Sequence, residues 1–346
     1  MLKNNKCPNC AGYFVYSPKD NALKCQSCGS TKPVDCTDEI SQHDYESTKL
    51  QYNNDWTKDA KTIKCQNCGA NIVISRFSMI DKCSYCGNSA LVDVNNINSI
   101  KPDAVLPFSI DVEQAKTFFK EGLKGKMFIP NVLKRETPKL NITTRYVNAY
   151  VFNASLIAKY SATLVFEETE YDSKGNSHTS SYTKHVAGEM PHKVVDYVVE
   201  SNSNLSQSEL EKIMPYNLSN LKSYSGEFLF GATAEYSNKS LIDANRELED
   251  ELHEDIRRSI IHKYHADGAN NVSIDLNYTS KKYCYCLLPT YSFDYDFNKK
   301  HYSTIMNGTT GKLGGGVPRS GAKITLFVLA ILFSILGIGL LLYFWL

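Results

Sequence analysis

The chain ends in an uncharged run, Ile324 to Leu346, reading ITLFVLAILFSILGIGLLLYFWL. A helix rises about 1.5 Å per residue, so a run of this length crosses a hydrocarbon core of roughly 30 Å. Backbone groups at that depth find no water, which makes a helix the expected form. Inside the run, Thr325 and Ser334 carry polar side chains, and a hydroxyl can bond back to its own helix. Tyr343 and Trp345 stand at the far end, where amphipathic aromatics favour the interface. Lys312, Arg319 and Lys323 stand before the run, and positive charge on that side predicts a cytoplasmic N-terminal bulk. A buried core helix is the competing reading, but it suits a shorter and less uniform segment. The expectation is a single-pass, tail-anchored chain in the cell membrane.

That placement decides how the 11 cysteines read. In a secreted chain they would suggest disulfides; in a reducing compartment metal binding is the better reading. The opening residues, MLKNNKCPNC, lack an apolar core, so no signal peptide is expected. Triplets such as Asn141-Ile-Thr143 and Asn307-Gly-Thr309 then carry no meaning as glycosylation sites. A formal net charge of +1 gives no global basic field for nucleic acid.

The cysteines repeat. Cys7, Cys10, Cys25 and Cys28 recur as Cys65, Cys68, Cys83 and Cys86, each shifted by 58 positions, with 14 residues between the CxxC pairs in both copies. Two thiolates three positions apart on a tight turn can reach one ion at about 2.3 Å, and a second pair completes a closed tetrahedron. Glycine follows Cys28, Cys68 and Cys86, and permits the left-handed backbone that aims amides at sulfur. Weak alternation between the pairs suits a short hairpin too small to fold without metal. A redox CxxC motif does not explain a duplicated quartet; an iron–sulfur centre or another thiophilic metal is the alternative to two structural Zn2+ ions. Each quartet resembles a zinc ribbon of the transcription-factor-IIB or rubredoxin-like type. The resemblance to the helicases that carry such ribbons stops there, because Gly308-Thr-Thr-Gly311-Lys312 is too short for a phosphate loop.

Residues 1–34 hold five lysines against Asp20, and residues 61–90 hold Lys61, Lys64, Arg76 and Lys82 against Asp81. A zinc ion with four thiolates is itself about −2, which cancels part of each surplus. The segment between, Asp35 to Ala60, is acidic. Phosphate binding wants a coherent basic face, so these alternating signs favour protein docking over nucleic acid. Cys36 reads as a bystander in this linker and His43 as solvated.

From Asn95 to Met306 the pattern is α+β, with strands in runs and helices between them. Asp111 with Gln114, Ser206 with Glu209, and Ser240 with Asp243 open three helices. Gly122 and Gly125 are expected to end the first. Leu241, Ala244, Leu248, Leu252, Ile256 and Ile260 mark the buried face of the third. Strands are expected at 147–166, 180–186, 194–199, 271–277, 283–288, 291–297 and 301–306, with an extended stretch at 228–234 and a hairpin turn at 172–176.

Outside the quartets, chemistry is thinly supported. His262 and His265 sit at a helix end, where imidazole suits the dipole without a metal. Cys284 and Cys286 share one face of a strand and read as small buried hydrophobes. His178, His185 and His192 lack ligand geometry, and His253-Glu254 lacks the second histidine of a metalloprotease helix. No nucleophile motif or phosphate loop stands out, so no catalytic residue and no small-molecule substrate are assigned. An enzyme in the middle region stays as the third reading.

The segment 307–323 is rich in glycine and reads as a flexible juxtamembrane linker whose Lys312, Arg319 and Lys323 can touch anionic lipid. Leu287-Leu288-Pro289 with Tyr291, Met306-Asn307-Gly308 with Thr310-Gly311-Lys312, and Gly316 with Pro318 ahead of a helix resemble bacterial membrane-anchored zinc-ribbon proteins of Firmicutes. Some members of that family are encoded beside a phage-shock-A-like protein and an SPFH-domain protein. The resemblance implies a role in bringing such proteins to the membrane during envelope stress. The expected architecture is therefore zinc ribbon 1 (1–34), acidic linker (35–60), zinc ribbon 2 (61–94), α+β cytoplasmic domain (95–306), linker (307–323) and transmembrane helix (324–346). The expected function is a non-enzymatic adaptor, with a membrane-tethered nucleic-acid or transcription regulator as the alternative.

Overall fold

Three very long strands carry the fold. In the computed structural model, β9 (Asn141–Tyr171), β10 (Ser177–Glu200) and β13 (Gly268–Phe297) lie antiparallel, with β9 in the middle. The structure describes residues 5–48, 56, 60–76, 80, 82–94, 100–136, 138–171, 177–201, 205–235, 237 and 239–345. Before them in the chain come β1 (Phe14–Ser17), β2 (Ala22–Cys25), β3 (Thr31–Lys32), β4 (His43–Asp44), α1 (Tyr45–Thr48), β5 (Ala60–Cys65), β6 (Asn71–Ser75), β7 (Leu91–Val94), β8 (Ala104–Val105), α2 (Val112–Lys124) and α3 (Asn131–Arg135). Among and after them come α4 (Gln207–Ile213), β11 (Lys222–Ser223), β12 (Thr233–Glu235), α5 (Leu241–Tyr264), β14 (Lys300–Asn307), β15 (Leu313–Gly315) and α6 (Gly321–Trp345).

The mixed α+β class is as expected. The strands expected at 180–186 and 194–199 are one strand, β10, and those at 271–277, 283–288 and 291–297 are one strand, β13. Shifts of register after Val194, Asn270 and Tyr278 let both run through polar stretches without breaking, while Pro191 and Pro289 stay in register with Ile157 and Tyr146. One face of this ribbon buries Tyr150, Phe152, Leu156, Tyr160 and Leu164 against α5, whose six expected core residues are all buried. Ala154, Ala158 and Ala162 alternate with these large side chains and leave room for the helix.

The helix caps follow the expected chemistry. Asp111 and Gln114 exchange side-chain and backbone bonds at the start of α2, as Ser206 and Glu209 do at α4. Ser240 accepts from the Asp243 amide at α5. Gly125 caps α2, whereas Gly122 lies inside the helix, where a Cβ would strike Leu313. The stretch 228–234 is extended only at its end: a 3-10 turn, Gly226–Leu229, precedes β12. The turn expected at 172–176 and the connector at 95–99 lie outside the described residues.

The described residues of both linkers pack on the head. In the acidic segment, β4 pairs with β13, Tyr45 is buried, and the Trp56 indole donates to the Tyr224 hydroxyl at 2.7 Å. His43 is therefore not a solvated residue. Its Nε2 meets Asp103 Oδ1 at 2.8 Å, while Asp103 Oδ2 accepts from the Tyr285 amide at 2.9 Å. Cys36 packs half-buried beside the main core, outside both quartets.

Gly308, Gly311, Gly314 and Gly315 serve close approach rather than freedom. β15 pairs with β14, and at Gly314 a Cβ would fall 2.8 Å from Ile213 and 3.0 Å from Lys212. Asn307 is buried and donates to the carbonyls of Ile213 and Pro215 at 2.9 and 3.1 Å. Lys312 and Lys323, expected to reach lipid, are occupied instead. Lys312 Nζ donates to Met214 O, and Lys323 Nζ donates to Ile129 O at 2.8 Å.

Candidate metal centres

Each CxxC pair sits on a turn built from the same two backbone bonds. The first cysteine's amide donates five residues ahead: Cys7 to Gly12, Cys25 to Ser30, Cys65 to Ala70 and Cys83 to Asn88, at 2.6–2.9 Å. Its carbonyl accepts from the residue after the second cysteine: Ala11, Gly29, Gly69 or Gly87, at 2.9–3.0 Å. That residue is left-handed in all four turns, with φ of 58°, 75°, 77° and 69°. Three are the expected glycines. The fourth is Ala11, which sequence reasoning passed over although the 58-residue repeat aligns it with Gly69.

The turns bring the expected ligands together. All four sulfurs of Cys7, Cys10, Cys25 and Cys28 lie within 4.8 Å of one another, as do those of Cys65, Cys68, Cys83 and Cys86. In the first quartet Cys7 meets Cys28 at 3.7 Å and Cys10 meets Cys25 at 3.5 Å. In the second, Cys65 meets Cys86 at 3.6 Å and Cys68 meets Cys83 at 3.7 Å. A tetrahedron with bonds of about 2.3 Å has edges of about 3.8 Å, so four thiolates and one zinc-sized ion fit each cluster. All eight cysteines are free of disulfides. In each quartet the first cysteine of a pair is buried and the second exposed.

The exposed Cys28 and Cys86 are the readiest thiolates. The Ser30 hydroxyl, 2.9 Å from Cys28 Sγ, holds Cys28 down at about 6. The Asn67 amide and the Asn88 backbone hold Cys86 at about 6. Burial instead pushes Cys83 up to about 12. Metal binding at such a quartet releases whatever protons its thiols still carry.

Neither ribbon stands apart from the head. Ribbon 2 joins the main sheet, because β12 pairs antiparallel with β6 on one edge and parallel with β9 on the other. Its own small core is Ile63, Cys65, Ile72, Ile74 and Cys83. Tyr85, between two ligands, lies under the Arg145 guanidinium at 4.7 Å, and Arg145 pairs with the buried Glu235 at 3.4 Å. Ribbon 1 forms its own sheet, β1-β2-β3, and shares the main core through Phe14, Tyr16 and Leu23. The Tyr16 amide donates to Phe230 O at 3.0 Å, and Lys32 pairs with the buried Glu227 at 3.0 Å. No sequence signal pointed to these attachments, since each depends on residues far apart in the chain.

The other candidates stay out of both clusters. Cys284 and Cys286 are buried among Val147, Val151 and Leu288, and burial pushes the Cys284 thiol up to about 12. His262 and His265 lie at the end of α5, where His265 is the left-handed cap. The helix α6 is long and apolar enough to cross a membrane, and its apolar side chains are exposed from Leu326 to Ile338.

The chain is similar to an uncharacterized protein of Bacillus subtilis (strain 168), YdjG, with 24% identity over 336 residues, covering 94% of this chain and 92% of that protein. No family model matches the chain. No solved structure matches it either.

Proposed function

We propose that this chain is a non-enzymatic, membrane-anchored, zinc-binding adaptor that docks cytoplasmic partner proteins at the bilayer. The observation that carries the reading is the presence in one chain of two closed four-sulfur centres, one joined to the main sheet and one packed on the main core, and one exposed apolar helix. Four thiolates leave a zinc ion no open position for water or substrate, so its contribution is to hold loops in shape. The partner class is the one the sequence resemblance implies: SPFH-domain or phage-shock-A-like proteins of envelope stress. The head lies on the cytoplasmic side, where the thiols stay reduced.

Two measurements on the full-length chain test this. Metal analysis should find two zinc ions per chain, and the protein should stay with membranes through an alkaline wash unless it is cut after Arg319. Capture from membranes should then return a partner of that class. Membrane persistence of the truncated chain would remove the anchor from the account. Tight, steeply salt-dependent binding to DNA would replace the adaptor with a nucleic-acid regulator.

A further inference from the structure

The start of α6 is clamped to the corner between α2 and α3. The Ser320 amide donates to Phe128 O at 2.7 Å. Lys323 Nζ donates to Ile129 O at 2.8 Å and to Asn131 Oδ1 at 2.7 Å. The Phe128 ring meets the Phe327 ring edge-on, with centroids 5.4 Å apart. Phe327 lies three positions inside the apolar run, about 4.5 Å along the helix. Hydrocarbon that begins with the apolar run of α6 therefore begins beside this corner.

The corner has the chemistry of an interface. Met127 and Val132, on either side of Phe128, are 57% and 59% exposed. Around them stand Lys124, Lys126, Lys134, Arg135 and Arg319. Among the described residues none of these five pairs with a carboxylate, but Lys134 Nζ already donates to Lys124 O at 3.0 Å, which leaves Lys124, Lys126, Arg135 and Arg319 to face lipid. Burial, and then the Arg319 charge, holds the Lys126 ammonium below its ordinary value, as expected of two cations with no anion between them. Lys323 cannot supply the counter-contact to lipid, because backbone carbonyls already hold it.

We propose that the α2–α3 corner is a second membrane contact, seating Met127, Phe128 and Val132 in the headgroup boundary of an anionic leaflet while the surrounding cations bind lipid phosphate. This rests on the reading of α6 as a membrane span. Apolar side chains at such a boundary bury about 5–10 Å deep, and nearby cations strengthen the contact on an anionic surface. The seat fixes how the head sits on the bilayer, which a flexible linker would not.

The test uses the full chain in phosphatidylglycerol–phosphatidylcholine vesicles whose acyl chains carry bromine near the headgroup. An indole at position 127 (Met127→Trp), or at 132 (Val132→Trp) should the first variant misfold, is expected to lose emission beyond the wild-type background. The control Tyr13→Trp, on ribbon 1, should not. Adding Lys124→Glu, Lys126→Glu and Arg135→Glu should abolish the loss. If neither indole is quenched more than the control while the protein still floats with vesicles after an alkaline wash, the corner faces water or protein and the proposal fails, with the span intact. Equal quenching in purely neutral vesicles overturns the anionic part. Failure to float removes the span reading itself.

Discussion

Ala11 occupies a backbone position that the other three metal turns give to glycine, so replacing it with glycine should strengthen ribbon 1. Its φ of 58° is left-handed, and its amide still donates to Cys7 O at 2.9 Å. That conformation costs a residue with a Cβ about 1–2 kcal/mol. Glycine gives back about 0.5–1 kcal/mol through the larger freedom it loses on ordering. The net expectation is a gain of about 0.5–1 kcal/mol. In a small ribbon, metal binding and folding are one equilibrium, so the gain reads as roughly two- to five-fold tighter zinc at the first quartet. Gly69→Ala makes the mirror experiment in ribbon 2: the added Cβ would meet nothing within 4 Å, leaving backbone handedness as the whole cost. The assay is chelator competition on the full chain with pulsed cysteine alkylation and peptide mapping, which reads each quartet separately. Ala11→Gly should delay alkylation of Cys7, Cys10, Cys25 and Cys28 alone; Gly69→Ala should hasten that of the other four alone. Unchanged alkylation in both variants would refute backbone handedness as a determinant of these sites.

Cys83→Ser should lower the zinc content from two ions per chain to one while leaving Cys7 and Cys25 protected, as metal analysis and alkylation mapping would show. Arg145→Met strips the buried Glu235 of its guanidinium and should destabilise the head by about 3 kcal/mol in denaturant unfolding. The double change Arg145→Met with Glu235→Met should recover much of that loss. Glu249 offers a pH test: burial pushes its carboxyl up, but Lys281 Nζ at 2.8 Å reverses this and holds the folded value below the ordinary one. Its contribution is therefore present above the ordinary glutamate pKa of about 4.3 and is lost as pH falls through the folded value. The stability gap between wild type and Glu249→Gln should narrow over that acidic range; a gap that widens there would contradict the assignment.

What could be read from the sequence was local. The three helix starts need only residues three apart, and the metal quartets need only the CxxC spacing and its repeat. The apolar end needs only its length. Continuity of the long strands was hidden because Pro191, the polar stretch from Asn270 to Asn277 and the Thr279–Lys282 stretch look like breaks. Pro191 lies on β10, which among the described strands pairs with β9 alone, and keeps its register with Ile157; the two stretches of β13 are carried by register shifts, and the buried Lys281 is met by Asn245 and Glu249 of α5. The glycines ahead of α6 looked like freedom because sequence does not show that Ile213, Phe108 and Phe118 press against Gly314, Gly308 and Gly311. His43 looked solvated because Asp103 stands 60 positions away.

The hydrogen bonds from β6 to β12 and from β12 to β9 make ribbon 2 and the head thermodynamic partners. Whatever free energy a bound ion lends to that strand pairing, the pairing must lend back to the ion. A ligand that bent or frayed the edge at Thr233–Glu235 would therefore loosen the metal by the same factor by which losing the metal would loosen the ligand's grip.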